Sequence, residues 1–130
     1  PHAVCFIDDF DSIDSSLFTS EEKCLSSLDL NQIGAFYESN PIFPEKANIE
    51  FAVITPDGIQ MRVFERGCGE TLACGTGACA TGVSAYLTGR SGRKNPVILR
   101  GGTLQIDWSE EGPVFMTGPA TISFTGTVEV

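Results

Sequence analysis

The stretch Glu65–Gly82, ERGCGETLACGTGACATG, sets three cysteines among closely spaced glycines. It begins where an alternating strand pattern ends and runs into the longest helical pattern of the chain. Four chemistries compete for it: a metal site, a nucleotide loop, a disulfide knot and a reactive thiol. Deciding among them also decides what the strands around it enclose.

Spacing removes zinc first. Cys68, Cys74 and Cys79 stand six and five positions apart, whereas structural zinc sites use tight C-x₂₋₄-C pairs. The lone His2 is distant in sequence, so no metal is expected. Gly75-Thr76-Gly77-Ala78-Cys79-Ala80 matches G-x-G-x-x-A, but that fingerprint must follow a strand directly. Here the strand ends near Glu65, and no acidic residue follows in "PVILRGG". The P-loop pattern G-x-x-x-x-G-K-[ST] is absent. Five cysteines is an odd number and a modest share of 130 residues, unlike a secreted disulfide scaffold. Free thiols in a reducing compartment, hence a cytoplasmic location, fit better.

The remaining chain sets bounds. Its length suits one domain, and 42% apolar residues suffice for a packed core. A formal net charge of −9 repels phosphate backbones, which argues against nucleic acid. No apolar stretch reaches the ~20 residues of a membrane span. The chain starts PHAVCFIDD, without methionine and straight into a strand pattern. It reads as a C-terminal domain, residues 1–130, whose N-terminal half lies outside this chain.

Ala3–Ile7 predicts a buried strand, and residues 15–36 predict helical pieces, with TSEE (Thr19–Glu22) as a capping box. IEFAVITPDG and IQMRVFER predict a hairpin turning at Asp57-Gly58. Ile59, Met61 and Val63 share one face of it. Residues 72–88 predict a buried helix ended by Gly89, with Leu72, Cys79, Val83, Tyr86 and Leu87 inward. Residues 95–130 predict three or four further strands. The fold class is α+β, a mostly antiparallel sheet wrapped around one central helix.

Within that frame the cysteines separate. Free cysteine is among the most buried residue types, so Cys5, Cys24 and Cys79 read as packing, and Cys68 as a passive loop residue. Cys74 reads as part of the first helical turn, where unpaired N–H groups and the helix dipole favour a thiolate. Gly75 and Gly77 leave amides open to a carboxylate or phosphate. Glu65 and Arg66, at the preceding strand end, read either as a solvated ion pair or as working groups. In the second case Arg66 clamps a carboxylate and Glu65 partners the thiol or an amine.

FERGCGETLACGTGAC (Phe64–Cys79) closely resembles the second cysteine motif of the diaminopimelate epimerase family. PHAV at Pro1, FPEKANIEF at Phe43 and FMTGPA at Phe115 resemble its other segments, in order. The resemblance implies a cofactor-independent isomerase of two similar halves, with the active site between them. One cysteine from each half works on opposite faces of the substrate α-carbon. That interconverts LL- and meso-diaminopimelate, for lysine and peptidoglycan synthesis. It implies Cys74 as one acid/base cysteine, Glu65 as its partner, and His2 as the histidine assisting the other cysteine. Asn48 and Arg66 would hold the distal end of the substrate, and Gly75 and Thr76 its α-carboxylate. It also suggests a homodimer.

The motif carrying the other cysteine is not among these residues, so the chain alone is expected to be inactive. Two alternatives stand beside this reading: a related racemase or isomerase of another small amino or hydroxy acid, and a non-catalytic carboxylate-binding domain.

Overall fold

Asp57 and Gly58 turn the chain between two strands, with Gly58 at a φ of 137° that a side chain rarely adopts. The computed structural model describes residues 1–130. The strands joined there are β2 (Asn48–Thr55) and β3 (Gly58–Glu65), in antiparallel register with Ala52 opposite Met61. The expected alternation holds: Ile59, Met61 and Val63 are buried on one face.

Around this hairpin a seven-stranded sheet assembles. β1 (His2–Phe6) pairs in parallel with β2. β4 (Gly69–Thr71) folds back on β3. β5 (Lys94–Leu99) joins β3 in parallel, and β6 (Gly102–Trp108) and β7 (Val114–Thr117) follow antiparallel. Three strands therefore form after residue 93. Residues 118–130 lie outside any strand and are exposed.

Each face of the sheet carries a core, while β7 is exposed along its length. Ile59, Met61, Val63, Val97 and Ile106 pack on one face against Ala78 and Ala85 of α2 (Gly75–Leu87). Each fully buried aliphatic chain contributes about 1.5–3 kcal/mol. Ile7, Leu25, Leu28, Leu30, Ile49 and Phe51 build a second core on the other face, beneath α1 (Leu30–Glu38) and the segment before it. That segment was expected to be helical. It makes only two short 3₁₀ turns, Ser15–Leu17 and Leu25–Ser27, before α1. Nothing helical starts at TSEE, where the Thr19 hydroxyl donates to the Ser27 carbonyl instead.

α2 departs from expectation in which face it buries. Gly77, Ala78, Thr81, Gly82 and Ala85 face the sheet, while Leu72 lies outside the helix and Leu72 and Leu87 are exposed. The reason is close approach: a Cβ on Gly82 would stand 2.9 Å from Ile106 Cγ2. Small residues let the sheet's side chains reach the helix backbone, so bulk comes from the sheet. The helix ends as expected. Gly89, at φ 71°, donates to the Tyr86 carbonyl and Arg90 to that of Ala85, a Schellman closure.

The basic run after α2 is committed internally. Arg90 pairs with Asp8, Lys94 with Asp107, and Arg93 lies over the rings of Tyr86 and Trp108. No helix is long and apolar enough to cross a membrane.

Candidate active site

Strand register places the polar groups. His2 lies opposite Asn48 and Val4 opposite Glu50 in the parallel pair, and Glu50 lies opposite Val63 in the hairpin. Side chains alternate between faces, so His2, Asn48, Glu50 and Glu65 share the α2 face, at the end where α2 begins.

Cys74 is the N-cap of α2 rather than a residue of its first turn. Its backbone is extended (φ −140°, ψ 108°), and its Sγ accepts from the Gly77 N–H at 3.4 Å. The first intrahelical bond runs from the Ala78 N–H to the Cys74 carbonyl. The amides of Gly75 and Thr76 precede it and have no partner within the helix, as an anion cradle requires. Sulfur at an N-cap is a weak acceptor, so stability alone does not explain cysteine where serine or aspartate caps better.

Thr76 links the thiol to the strands. Its Oγ1 lies 3.7 Å from Cys74 Sγ and 3.1 Å from His2 Nε2. His2 Nδ1 lies 2.6 Å from Glu50 Oε1. The order Glu50–His2–Thr76–Cys74 is thus continuous, and one donor atom each from His2, Glu50 and Cys74 falls within 4.8 Å of the others.

Glu50 is the residue that sequence reasoning missed. It is completely buried, and its Oε2 has no hydrogen-bond partner. Burial pushes its carboxyl above the usual carboxylate range, and the His2 hydrogen bond pulls the other way without reversing it. α2 can rest on it only because residue 77 is glycine. A Cβ there would stand 2.7 Å from Glu50 Oε1 and 3.2 Å from Cys74 Sγ.

The other expected residues lie nearby with different partners. Glu65 makes no hydrogen bond to Cys74; it accepts from the Thr71 hydroxyl at 2.5 Å, because β4 returns alongside β3. Glu65 and Arg66 do not pair with each other. The Arg66 N–H donates to Asn48 Oδ1 at 2.8 Å, and its guanidinium donates to the Glu45 carbonyl at 2.9 Å. Asn48 and Arg66 are therefore joined, beyond the His2 end of the cluster.

Cys79 packs against the α2 core and Cys68 lies in the β3–β4 turn, as expected, whereas Cys5 and Cys24 depart from the packing expectation. Cys5 and Cys68 are exposed, Cys24 and Cys79 half-buried, and only Cys74 is buried. Cys5 sits on the edge strand β1, facing away from α2 into an apolar groove with Tyr37, Phe43 and Ile49. Cys24 lies outside both cores, its sulfur among the hydroxyls of Ser26 and Ser27.

A family model described as Diaminopimelate epimerase matches residues 1–123. The diaminopimelate epimerase of Synechococcus elongatus is 47% identical over 131 residues, covering 100% of this chain and 41% of that protein. That of Leptospira biflexa is 45% identical, with the same two coverages. That of Phocaeicola vulgatus is 46% identical, covering 100% of this chain and 42% of its own length. The chain thus spans about two-fifths of the length of the curated relatives it matches.

Solved structures resemble it in fold. A PhzF-family phenazine biosynthesis protein of Bacillus anthracis superposes with a TM-score of 0.52 at 18% identity, covering 87% of this chain and 33% of that one. A putative phenazine biosynthesis PhzC/PhzF protein of Clostridium difficile gives 0.56 at 17% identity, covering 85% and 34%. The family model takes in nearly the whole sequence, and relatives 45–47% identical match along all of it: the chain belongs to the diaminopimelate epimerase family.

Proposed function

We propose that this chain is the C-terminal half of a cytoplasmic diaminopimelate epimerase, supplying one of two acid/base thiols for lysine and peptidoglycan precursor synthesis. The observation that carries it is Cys74 at the start of α2, beside two amides free to bind a carboxylate and at the end of the Glu50–His2–Thr76 network.

The α-proton of an amino acid is very weakly acidic. Without an electron-sink cofactor, its removal depends on placement and on donors preorganised around the developing charge. The Gly75 and Thr76 amides hold the α-carboxylate and stabilise the carbanion. Cys74 takes or returns the α-proton on one face. His2, oriented by Glu50, holds Thr76 against the thiol. Asn48 and Arg66 receive the distal end of a substrate with two charged ends. Glu65 lines the same face and binds the substrate's amine.

Inversion needs a second base on the opposite face. None of Cys5, Cys24, Cys68 and Cys79 hydrogen-bonds to His2, Glu50, Cys74 or Thr76, and we assign that thiol to the other half of the enzyme. The chain alone is inactive on this account. In the full-length enzyme, Cys74→Ala lowers the interconversion of LL- and meso-diaminopimelate by about 10²- to 10⁴-fold, the usual contribution of a positioned acid or base. Activity within a few-fold of the parent refutes the assignment.

A further inference from the structure

The cysteine spacing alone does not mark a zinc site. Spacing is blind to ligands drawn from three separate elements. β1, β2 and the N-cap of α2 bring an imidazole nitrogen, a carboxylate oxygen and a thiol within 4.8 Å of one another. We propose that His2, Glu50 and Cys74 form a binding site for a soft divalent cation, zinc above all, and that the bound ion silences the Cys74 thiol.

The donor set is that of an open zinc site: three protein ligands and a fourth position for water or an anion. Donors sharing one ion at bond lengths of about 2.0–2.3 Å stand about 3.3–3.8 Å apart. His2 Nδ1 and Glu50 Oε1, now 2.6 Å apart, separate to that span when an ion takes the place of their hydrogen bond.

One further observation points to a ligand. Glu50 Oε2 is buried without a partner, so this carboxylate has unmet capacity to bind a cation. Gly77 is what lets the start of α2, and with it the thiol, close down on that carboxylate: a Cβ there would meet Glu50 Oε1 at 2.7 Å and Cys74 Sγ at 3.2 Å.

Charge favours the ion as well. One thiolate, one carboxylate and a neutral imidazole sum to −2, which a divalent cation neutralises. A buried carboxylate that is otherwise costly then becomes fully compensated. On binding, the Cys74 thiol releases its proton to solvent as the metal–sulfur bond forms, and the metal replaces the His2–Glu50 hydrogen bond. No electron is transferred. Metal binding stands on this geometry alone. Only its inhibitory consequence rests on the acid/base reading of Cys74.

Cobalt(II) added to the 130-residue chain under reducing conditions tests the site. One equivalent is expected to bind with a thiolate-to-cobalt charge-transfer band in the near ultraviolet, and zinc is expected to bleach it. Cys74→Ser abolishes the band, Glu50→Gln weakens binding by at least about tenfold, and Cys79→Ser leaves it unchanged. On the unmutated chain, zinc protects Cys74 from iodoacetamide, as mapped by peptide mass spectrometry, so a misfolded variant does not decide the matter. Absence of the band, its persistence in Cys74→Ser, or unprotected Cys74 in saturating zinc overturns the proposal. The spectrum requires no turnover. Its failure leaves the acid/base role of Cys74 standing, and failure of that role leaves the spectrum standing.

Discussion

The imidazole Nδ1 of His2 lies 2.6 Å from Oε1 of Glu50, a residue 48 positions away that is completely buried. A carboxylate in that setting fixes the ring and its tautomer: Nδ1 donates to Glu50, and Nε2 is left to meet the Thr76 hydroxyl. On the proposed acid/base reading of Cys74, Glu50 is a positioning residue, linked to the thiol through His2 and Thr76.

Glu50→Gln tests that role in the full-length enzyme. The amide removes a buried charge and keeps the shape, so the variant is at least as stable as the parent in thermal denaturation. Epimerisation falls by about tenfold, in kcat more than in KM, because the ring is less firmly held. A variant as active as the parent removes Glu50 from the mechanism.

Gly77→Ala inverts the ordinary helix rule. Alanine in a helix interior is worth about 1 kcal/mol over glycine. Here the added methyl meets Glu50 Oε1 and Cys74 Sγ, both held by packing. We expect a net loss of about 1–3 kcal/mol in urea denaturation. Gly92→Ala, where nothing lies within 4 Å, is the control and changes little. Stabilisation at position 77 contradicts the described contact.

Arg62 fastens the layer before α1 to the sheet. Its Nε and Nη2 each donate to Glu70 at 2.8 Å, and its Nη1 reaches the carbonyls of Leu25, Ser26 and Leu28. Arg62→Met strands those acceptors and costs about 3–5 kcal/mol. The Arg62 hydrogen bond, with Arg100 assisting, holds the Glu70 carboxyl below the usual range. A lowered folded-state value means the unfolded chain binds the proton first. The stabilisation is complete above the ordinary carboxylate value of about 4.3 and is lost as pH falls through the lower folded one. Glu70→Gln therefore flattens the acid limb of the stability curve; an unchanged limb refutes this.

The thiols differ in readiness to react. Hydrogen bonds from Ser26 and Ser27 lower the Cys24 pKa, whereas desolvation raises that of half-buried Cys79. The Cys5 side chain reaches solvent, yet desolvation by the apolar groove beside it, together with the Asp8 carboxylate, raises its pKa. Peptide mapping after brief iodoacetamide treatment near neutral pH should find Cys24 labelled ahead of Cys5 and Cys79. The reverse order contradicts the described environment of Cys24.

What the sequence made legible was whatever depends on neighbours in the chain. Alternation at Ile59, Met61 and Val63 and the Asp57-Gly58 turn located the hairpin, and Gly89 located the end of α2. The buried face of α2 was not legible, because a helix apolar nearly all round has no preferred side until something approaches it. That something is Ile106, from a strand formed later in the chain. TSEE misled because a capping box needs an apolar run behind it, and the Thr19 hydroxyl found Ser27 instead.

Cys74 could be singled out because its signal, a cysteine before Gly-x-Gly at a helix start, is local. Glu50 could not. Between Ile49 and Phe51 it reads as the solvent-facing residue of an amphipathic strand. Only the parallel pairing of β1 with β2 brings His2 beside it, and only α2 buries it. Glu65 was identified by its motif, but its Thr71 partner follows from the return of β4, which three residues of sequence do not announce.

The central claim, that Cys74 moves the substrate α-proton, is tested most directly by hydrogen exchange in deuterated water. In the full-length enzyme, the epimerised α-carbon of diaminopimelate acquires one solvent deuterium per inversion, read by proton NMR. The account predicts that Cys74→Ala lowers inversion by about 10²- to 10⁴-fold and, with it, wash-in at the epimer whose α-proton faces Cys74. The thiol of the other half can still exchange the opposite epimer. Undiminished α-deuteration of both epimers by Cys74→Ala would contradict the claim.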